Sequence, residues 1–178
     1  KAFLKISLII ILVFSMFTYS QFDNEELLGK NKLNVFMIDV EQGDSFLIKF
    51  PNGKTALIDA GEANPFVDNG ERVIIPLLDY LGINQIDYGF ISHLDLDHYG
   101  GFISLIYNKR INKVYRPLPD SVNKSIRLEK FLKEMKIKSG IYDKNSFDVG
   151  NVKLYFLNDP YSYSYKKFSS NDRSGIIK

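Results

Sequence analysis

Apolar residues fall into short runs separated by turn-forming residues for most of the chain. Leu33 to Val40 (LNVFMIDV) is rich in strand formers, and Ser45 to Phe50 (SFLIKF) and Thr55 to Ala60 (TALIDA) repeat the pattern. Gln42-Gly43-Asp44 divides the first two runs, and Pro51-Asn52-Gly53-Lys54 divides the second pair in the manner of a β-hairpin. Residues 62–70 (EANPFVDNG) read as a loop. Residues 71–81 (ERVIIPLLDYL) carry apolar positions at helical spacing, with Pro76 as a kink or a late first turn and Gly82 as the stop. Asp87 to Ser92 (DYGFIS) predicts a short buried strand, then a polar loop, then an apolar helix (FISLIY) after Gly100-Gly101. That succession is an α/β unit.

Further along, Val114-Tyr115 is a strand candidate. Residues 121–136 predict an amphipathic, Lys-rich helix with Ile126, Leu128, Phe131, Leu132 and Met135 on its apolar side. Residues 147–157 (FDVGNVKLYFL) predict a hairpin turning at Gly150-Asn151, 158–172 a loop, and Ser174 to Lys178 the start of a strand. The N-terminus has a different character. Lys1 and Lys5 precede an uncharged run from Ile6 to Phe22, with Thr18 and Ser20 at the −3 and −1 positions of a cleavage after Ser20. This predicts a secretory signal peptide over 1–20 and a secreted protein. The alternative is an uncleaved membrane anchor through residues 6–22, although the run is short for a spanning helix. Residues 21–32 then form a linker, and 33–178 form the domain.

Composition narrows the functions. Hydrophobic residues make up 45% and charged residues 25%, as in an ordinary globular protein. The 23 basic residues barely exceed the 21 acidic ones, so net charge supplies no case for a nucleic-acid partner. The run 109–116 (KRINKVYR) would either steer a nucleic acid or form a solvated strand edge. Cysteine is absent, which excludes disulfides, thiolate zinc sites and a cysteine nucleophile in this stretch.

Chemistry concentrates in six residues. The two histidines of the chain, His93 and His98, bracket His93-Leu94-Asp95-Leu96-Asp97-His98. Alternation on an extended loop would send His93, Asp95 and Asp97 to one side, with His98 turning back at a helix start. Imidazoles and carboxylates crowd in this way at low cost when a cation sits between them. Helix capping explains one aspartate, not two acids with two histidines.

HLDLDHYGG resembles the His-x-[His/Asp]-x-Asp-His signature of the metallo-β-lactamase superfamily, in the His-x-Asp-x-Asp-His-x-Gly-Gly version of the DNA-internalisation competence (ComEC-related) proteins. DVEQGDSFLI is similar to that group's DVGQGDSxLI, GKTALIDAG to its GKxxLIDxG, and NDRSGIIK to its Asn-x-x-Ser strand. The resemblance implies an α/β fold, the αββα sandwich of the superfamily. It implies two divalent metal ions, with His93 and Asp95 on one and Asp97 and His98 on the other. It also implies that Asp97 receives the proton of a metal-bound water, and that Asp59 orders the loop through hydrogen bonds, a role open beside that of a strand-terminal turn residue. Asp44 reads as a turn residue. Asp95, where many members carry His, shifts the expected metal from zinc towards manganese or magnesium.

Three departures qualify the expectation. Glu41 stands where the group has Gly, and Gly175 where it has a branched apolar residue. No His follows His98, so the later half of the metal ligand set is missing from this chain, and the domain reads as incomplete at its C-terminus. The sequence thus points to an exported metal-dependent hydrolase, favouring phosphodiesters, including nucleic acid, and impaired in this form. The alternative is a non-catalytic exported binding module that keeps the fold.

Overall fold

The computed structural model describes residues 5–16, 28–119, 123–162, 169 and 171–178. The expected cleavage site at Thr18 and Ser20, most of the linker (21–27) and part of the aromatic loop (163–168) lie outside the described residues. Residues 5–16 form helix α1, whose apolar side chains from Ile6 to Met16 are exposed. Among the described residues, no helix is long and apolar enough to cross a membrane.

The strand runs pair much as their spacing predicts. β1 (Asn34–Met37), β2 (Phe46–Lys49) and β3 (Thr55–Ile58) form an antiparallel meander, with Met37 opposite Phe46 and Phe46 opposite Ile58. From β3 onward the sheet is parallel. β4 (Ile86–Phe90), β5 (Ile111–Arg116) and β6 (Lys138–Ile141) follow in order, each reached through a helix. A parallel neighbour needs such a crossover, because a tight turn returns the chain antiparallel.

The first crossover is a π turn (Gly70–Ile74) running into α2 (Ile75–Tyr80). Pro76 sits in the first turn of α2, where its missing N–H costs nothing. Gly82 at φ +68° ends the helix, with the Ile83 N–H reaching back to the Leu78 carbonyl at 2.8 Å. The second crossover is α3 (Leu96–Tyr107) and the third α4 (Asn123–Glu134). β6 has no counterpart in the sequence reading, because KSGI is short, polar and half exposed, with no alternation to mark it.

Two cores sandwich the sheet. On one face Leu47, Leu57 and Val114 meet Leu78 of α2, Phe102 and Leu105 of α3, and Leu128 and Leu132 of α4. On the other, Ala56, Phe90 and Tyr115 meet the hairpin of β7 (Ser146–Val149) and β8 (Val152–Tyr155). Aromatic rings dominate this second core: Tyr115 stacks on Phe147 at 5.4 Å, and Phe156 meets Phe90 edge-on at 6.0 Å. Ser174 to Lys178 does not form a full strand. An isolated bridge joins Ile177 to Phe156, preceded by a 3-10 turn at Asn171–Arg173. The result is three layers, α/β/β.

Candidate metal-binding site

The carboxyl ends of β3 and β4 lie side by side, the place where parallel sheets present their ligand-binding loops. β3 delivers Asp59. Its N–H still pairs with the Phe90 carbonyl at 2.9 Å, but its φ of +53° turns the chain away. That left-handed conformation costs a non-glycine residue about 1–2 kcal/mol, least for Asn and Asp. The turn tucks the carboxylate under the end of β4, where Asp59 is almost fully buried. Oδ1 accepts the Ser92 backbone N–H at 2.8 Å, and Oδ2 accepts the Ser92 hydroxyl at 2.5 Å and Nδ1–H of His98 at 2.8 Å. A buried carboxylate needs such donors to offset its lost hydration.

The polar loop is shorter than expected. Asp95 is the N-cap residue of α3, with extended backbone (φ −101°, ψ 143°), and its carbonyl accepts the N–H of His98 at 2.9 Å and of Tyr99 at 3.1 Å. The Asp95 side chain makes no cap hydrogen bond, so capping does not account for it. Helix geometry takes over at Leu96, and Asp97, His98 and both glycines lie inside α3. The expectation that His93, Asp95 and Asp97 share one side of an extended loop is therefore corrected. The period changes from 2 to about 3.6 within the motif. The four groups sort into two pairs instead: Nε2 of His93 is 3.6 Å from Oδ2 of Asp95, and Nε2 of His98 is 4.0 Å from Oδ2 of Asp97. The two rings lie 3.9 Å apart between centroids.

The early part of the chain holds this rim in place. Gly43, at φ +96°, packs its α-carbon against the backbone of Asp97, where a β-carbon would fall 1.8 Å from the carbonyl oxygen. The Ala60 N–H donates to the His98 carbonyl at 2.7 Å, and the Gly61 N–H to that of Asp44 at 3.2 Å. Asn69 donates to the Val40 carbonyl at 2.8 Å, closing the turn from the other side. Asp44 is exposed, yet its charge is felt at the site. The His98 imidazole is held above its ordinary pKa chiefly by the hydrogen bond to Asp59; burial opposes this, and the charges of Asp59, Asp97 and Asp44 add to it.

Sequence reasoning missed Ser92, whose hydroxyl also lies 2.9 Å from Nδ1 of His93. Its position next to the first histidine was the one available signal. It also missed Tyr142, whose hydroxyl donates to the Ile91 carbonyl at 2.9 Å beneath the loop. Arg110, Lys113 and Arg116 of the basic run 109–116 have partners within the fold. Arg110 pairs with Asp79 at 2.6 Å, Arg116 is buried against Glu129, and Lys113 bonds the Tyr115 hydroxyl at 2.6 Å.

The donors suit a divalent cation. Two ligands that each stand about 2.0–2.2 Å from one ion are at most about 4 Å apart, which both imidazole–carboxylate pairs match. Among the described residues, however, no group of three or more such side chains gathers on one point, and a catalytic site takes three protein ligands. The chemistry fits, and each pair by itself is one donor short.

A mixed sheet with helices on one face, a second β layer on the other and paired imidazoles and carboxylates at its carboxyl edge defines the class of fold. Residues 38–155 match the Metallo-beta-lactamase superfamily, and the chain belongs to it. It is 33% identical over 96 residues to ComE operon protein 3 of Bacillus subtilis (strain 168), covering 47% of this chain and 12% of that protein. It is 38% identical over 73 residues to the Uncharacterized protein YcaI of Escherichia coli (strain K12), covering 41% of this chain and 9% of that one. The chain thus matches only a small fraction of the length of these relatives. Among solved structures it is similar to a metallo-beta-lactamase from Cronobacter sakazakii, at 21% identity and TM-score 0.48, covering 71% of this chain and 51% of that one. It is also similar to the flavodiiron protein from Giardia intestinalis, at 17% identity and TM-score 0.47, covering 78% and 31%.

Proposed function

We propose that this chain carries metal-ligating residues of a divalent-metal-dependent hydrolase acting on phosphodiesters, nucleic acid among them. The observation that carries the reading is the pairing of His93 with Asp95 and of His98 with Asp97, with Asp59 bonded to His98 directly and to Ser92 beside His93. Each pair would supply two of the ligands of one cation, manganese or zinc. Such ions, when bound, acidify a water and stabilise charge on the attacked phosphoryl group. The chain's own residues do the rest. Asp59 keeps the proton of His98 on Nδ1, so Nε2 is free to act as a ligand. Asp97, partly exposed at the start of α3, would take a proton at Oδ2 from the attacking water. The resemblance of HLDLDHYGG to the competence group, with Asp95 where many superfamily members carry His, favours phosphodiesters over β-lactams or thioesters.

The site would work outside the cytoplasm, with residues 1–20 as an export signal or residues 6–22 as an anchor; Lys1 and Lys5 before the exposed apolar run that starts at Ile6 support this. The first experiment is hydrolysis of bis(p-nitrophenyl) phosphate with manganese and with zinc, beside a calorimetric titration of each ion. Metal-dependent turnover lost in Asp97→Asn and His98→Ala supports the hydrolase. Cation binding without turnover favours the second reading, a non-catalytic exported binding module, which the two-donor pairs favour. Absence of cation binding overturns both metal roles.

A further inference from the structure

Resting on the reading of His93 and Asp95 as a cation-binding pair, we propose that Ser92 is a positioning residue. It extends the hold of Asp59 to His93 and fixes which nitrogen of that ring faces Asp95. A proton count carries the argument. The Asp59 carboxylate can only accept, and the Ser92 hydroxyl lies 2.5 Å from its Oδ2, so the single hydroxyl proton points at Asp59. The oxygen of Ser92 is then an acceptor towards Nδ1 of His93 at 2.9 Å. Neutral His93 must therefore carry its proton on Nδ1 and leave the lone pair of Nε2 facing Asp95. Free imidazole side chains favour the opposite tautomer, which would aim a proton at the cation. The relay reverses that preference.

The main chain of Ser92 is held on both sides. Its N–H donates to Oδ1 of Asp59 at 2.8 Å, and its carbonyl accepts the Gly175 N–H at 2.7 Å, which pins both sides of the residue. Asp59 Oδ2 therefore sets both rings, His98 by direct contact and His93 through one hydroxyl. Outer partners of this kind typically change metal affinity about 10–100-fold.

The test uses the full chain with Ser92→Ala and Ser92→Thr. Only two histidines are present, so the ring nitrogens can be read individually by long-range 1H–15N NMR on metal-free protein, at a pH above the ordinary imidazole range. The proposal expects both rings protonated on Nδ1 in the parent and in Ser92→Thr. In Ser92→Ala, His93 should move to Nε2–H while His98 stays unchanged. Calorimetry should show affinity for one manganese or zinc ion falling about 10–100-fold in Ser92→Ala alone. His93 keeping its Nδ1 proton in Ser92→Ala overturns the relay, as does an equal change at His98, which marks general loosening. If the parent binds no cation, the metal reading fails while the tautomer measurement still decides the role of Ser92.

Discussion

Oδ2 of Asp59 lies 2.8 Å from Nδ1 of His98 across 39 positions of sequence, joining the end of β3 to the first turn of α3. Asp59→Ala removes that acceptor and leaves the Ser92 N–H, the Ser92 hydroxyl and the His98 Nδ1–H with no carboxylate to bond. Each buried polar group left unpaired costs about 1–3 kcal/mol, and the losses overlap. We expect Asp59→Ala to lose about 3–5 kcal/mol in urea unfolding. Asp59→Asn tolerates the +53° φ and keeps one acceptor oxygen, so it should lose about 1–3 kcal/mol. Equal losses in the two variants would count against this division of roles.

Two glycines in turns separate strain from contact. Gly43 (φ +96°) leaves no room for a β-carbon against Asp97, whereas Gly53 (φ +85°) has open space around it. Gly53→Ala should therefore cost only the conformational penalty of about 1–2 kcal/mol. Gly43→Ala must also push the backbone of Asp97 away, so it should cost more, about 3–4 kcal/mol. It should weaken cation binding as well, because Asp97 and His98 move with the start of α3. Thermal melts and metal titrations of both variants check the contrast.

Most of this architecture was legible because short runs of strand-forming residues are separated by turn-forming ones. The runs LNVFMIDV, SFLIKF and TALIDA announced β1 to β3, and Gly150-Asn151 announced the β7–β8 turn. β6 was not legible: KSGI earns its place by pairing with β5, and tertiary context of that kind leaves no local pattern. The site residues were legible as types crowded together, but their grouping was not. It depends on the helix beginning at Leu96, and helix boundaries are poorly marked when the capping side chain makes no bond. Ser92 and Tyr142 act through hydrogen bonds to distant partners, which spacing does not encode.

Glu41 occupies the position where the competence group has Gly, and its φ of +61° shows why glycine suits that place. The conformation is held by its N–H donating to Asp39 Oδ1 at 3.1 Å, across an exposed turn. Glu41→Gly relieves a left-handed strain of about 1–2 kcal/mol but loosens the unfolded chain, an opposing effect of about 0.5–1 kcal/mol. The net expectation is a gain of up to about 1.5 kcal/mol, read as a raised urea midpoint with an unchanged slope. A lowered midpoint would show that Glu41 makes a stabilising contact of its own.

Tyr142 stands fully buried below the His93–His98 segment, its hydroxyl bonded to the Ile91 carbonyl and its ring against the α-carbon of Gly175. Burial, helped by the negative charge of Asp59, raises its pKa well above the usual tyrosine value. The folded protein therefore keeps this proton at a pH where the unfolded chain releases it, near 10 for an unperturbed tyrosine. Because the folded pKa lies above the unfolded one, the contribution is fully present below about pH 10 and is lost as pH rises further. Tyr142→Phe should lower stability at neutral pH by about 0.5–1.5 kcal/mol through the lost hydrogen bond, yet flatten the decline above pH 10. Gly175→Val, which restores the branched residue of the competence group, should fare worse. A β-carbon there would fall 2.3 Å from the Tyr142 ring, so overpacking of about 1–3 kcal/mol is expected at every pH. Unfolding curves at neutral pH and above pH 10 tell the two effects apart. A Tyr142→Phe decline as steep as the parent's would place the alkaline sensitivity elsewhere in the molecule.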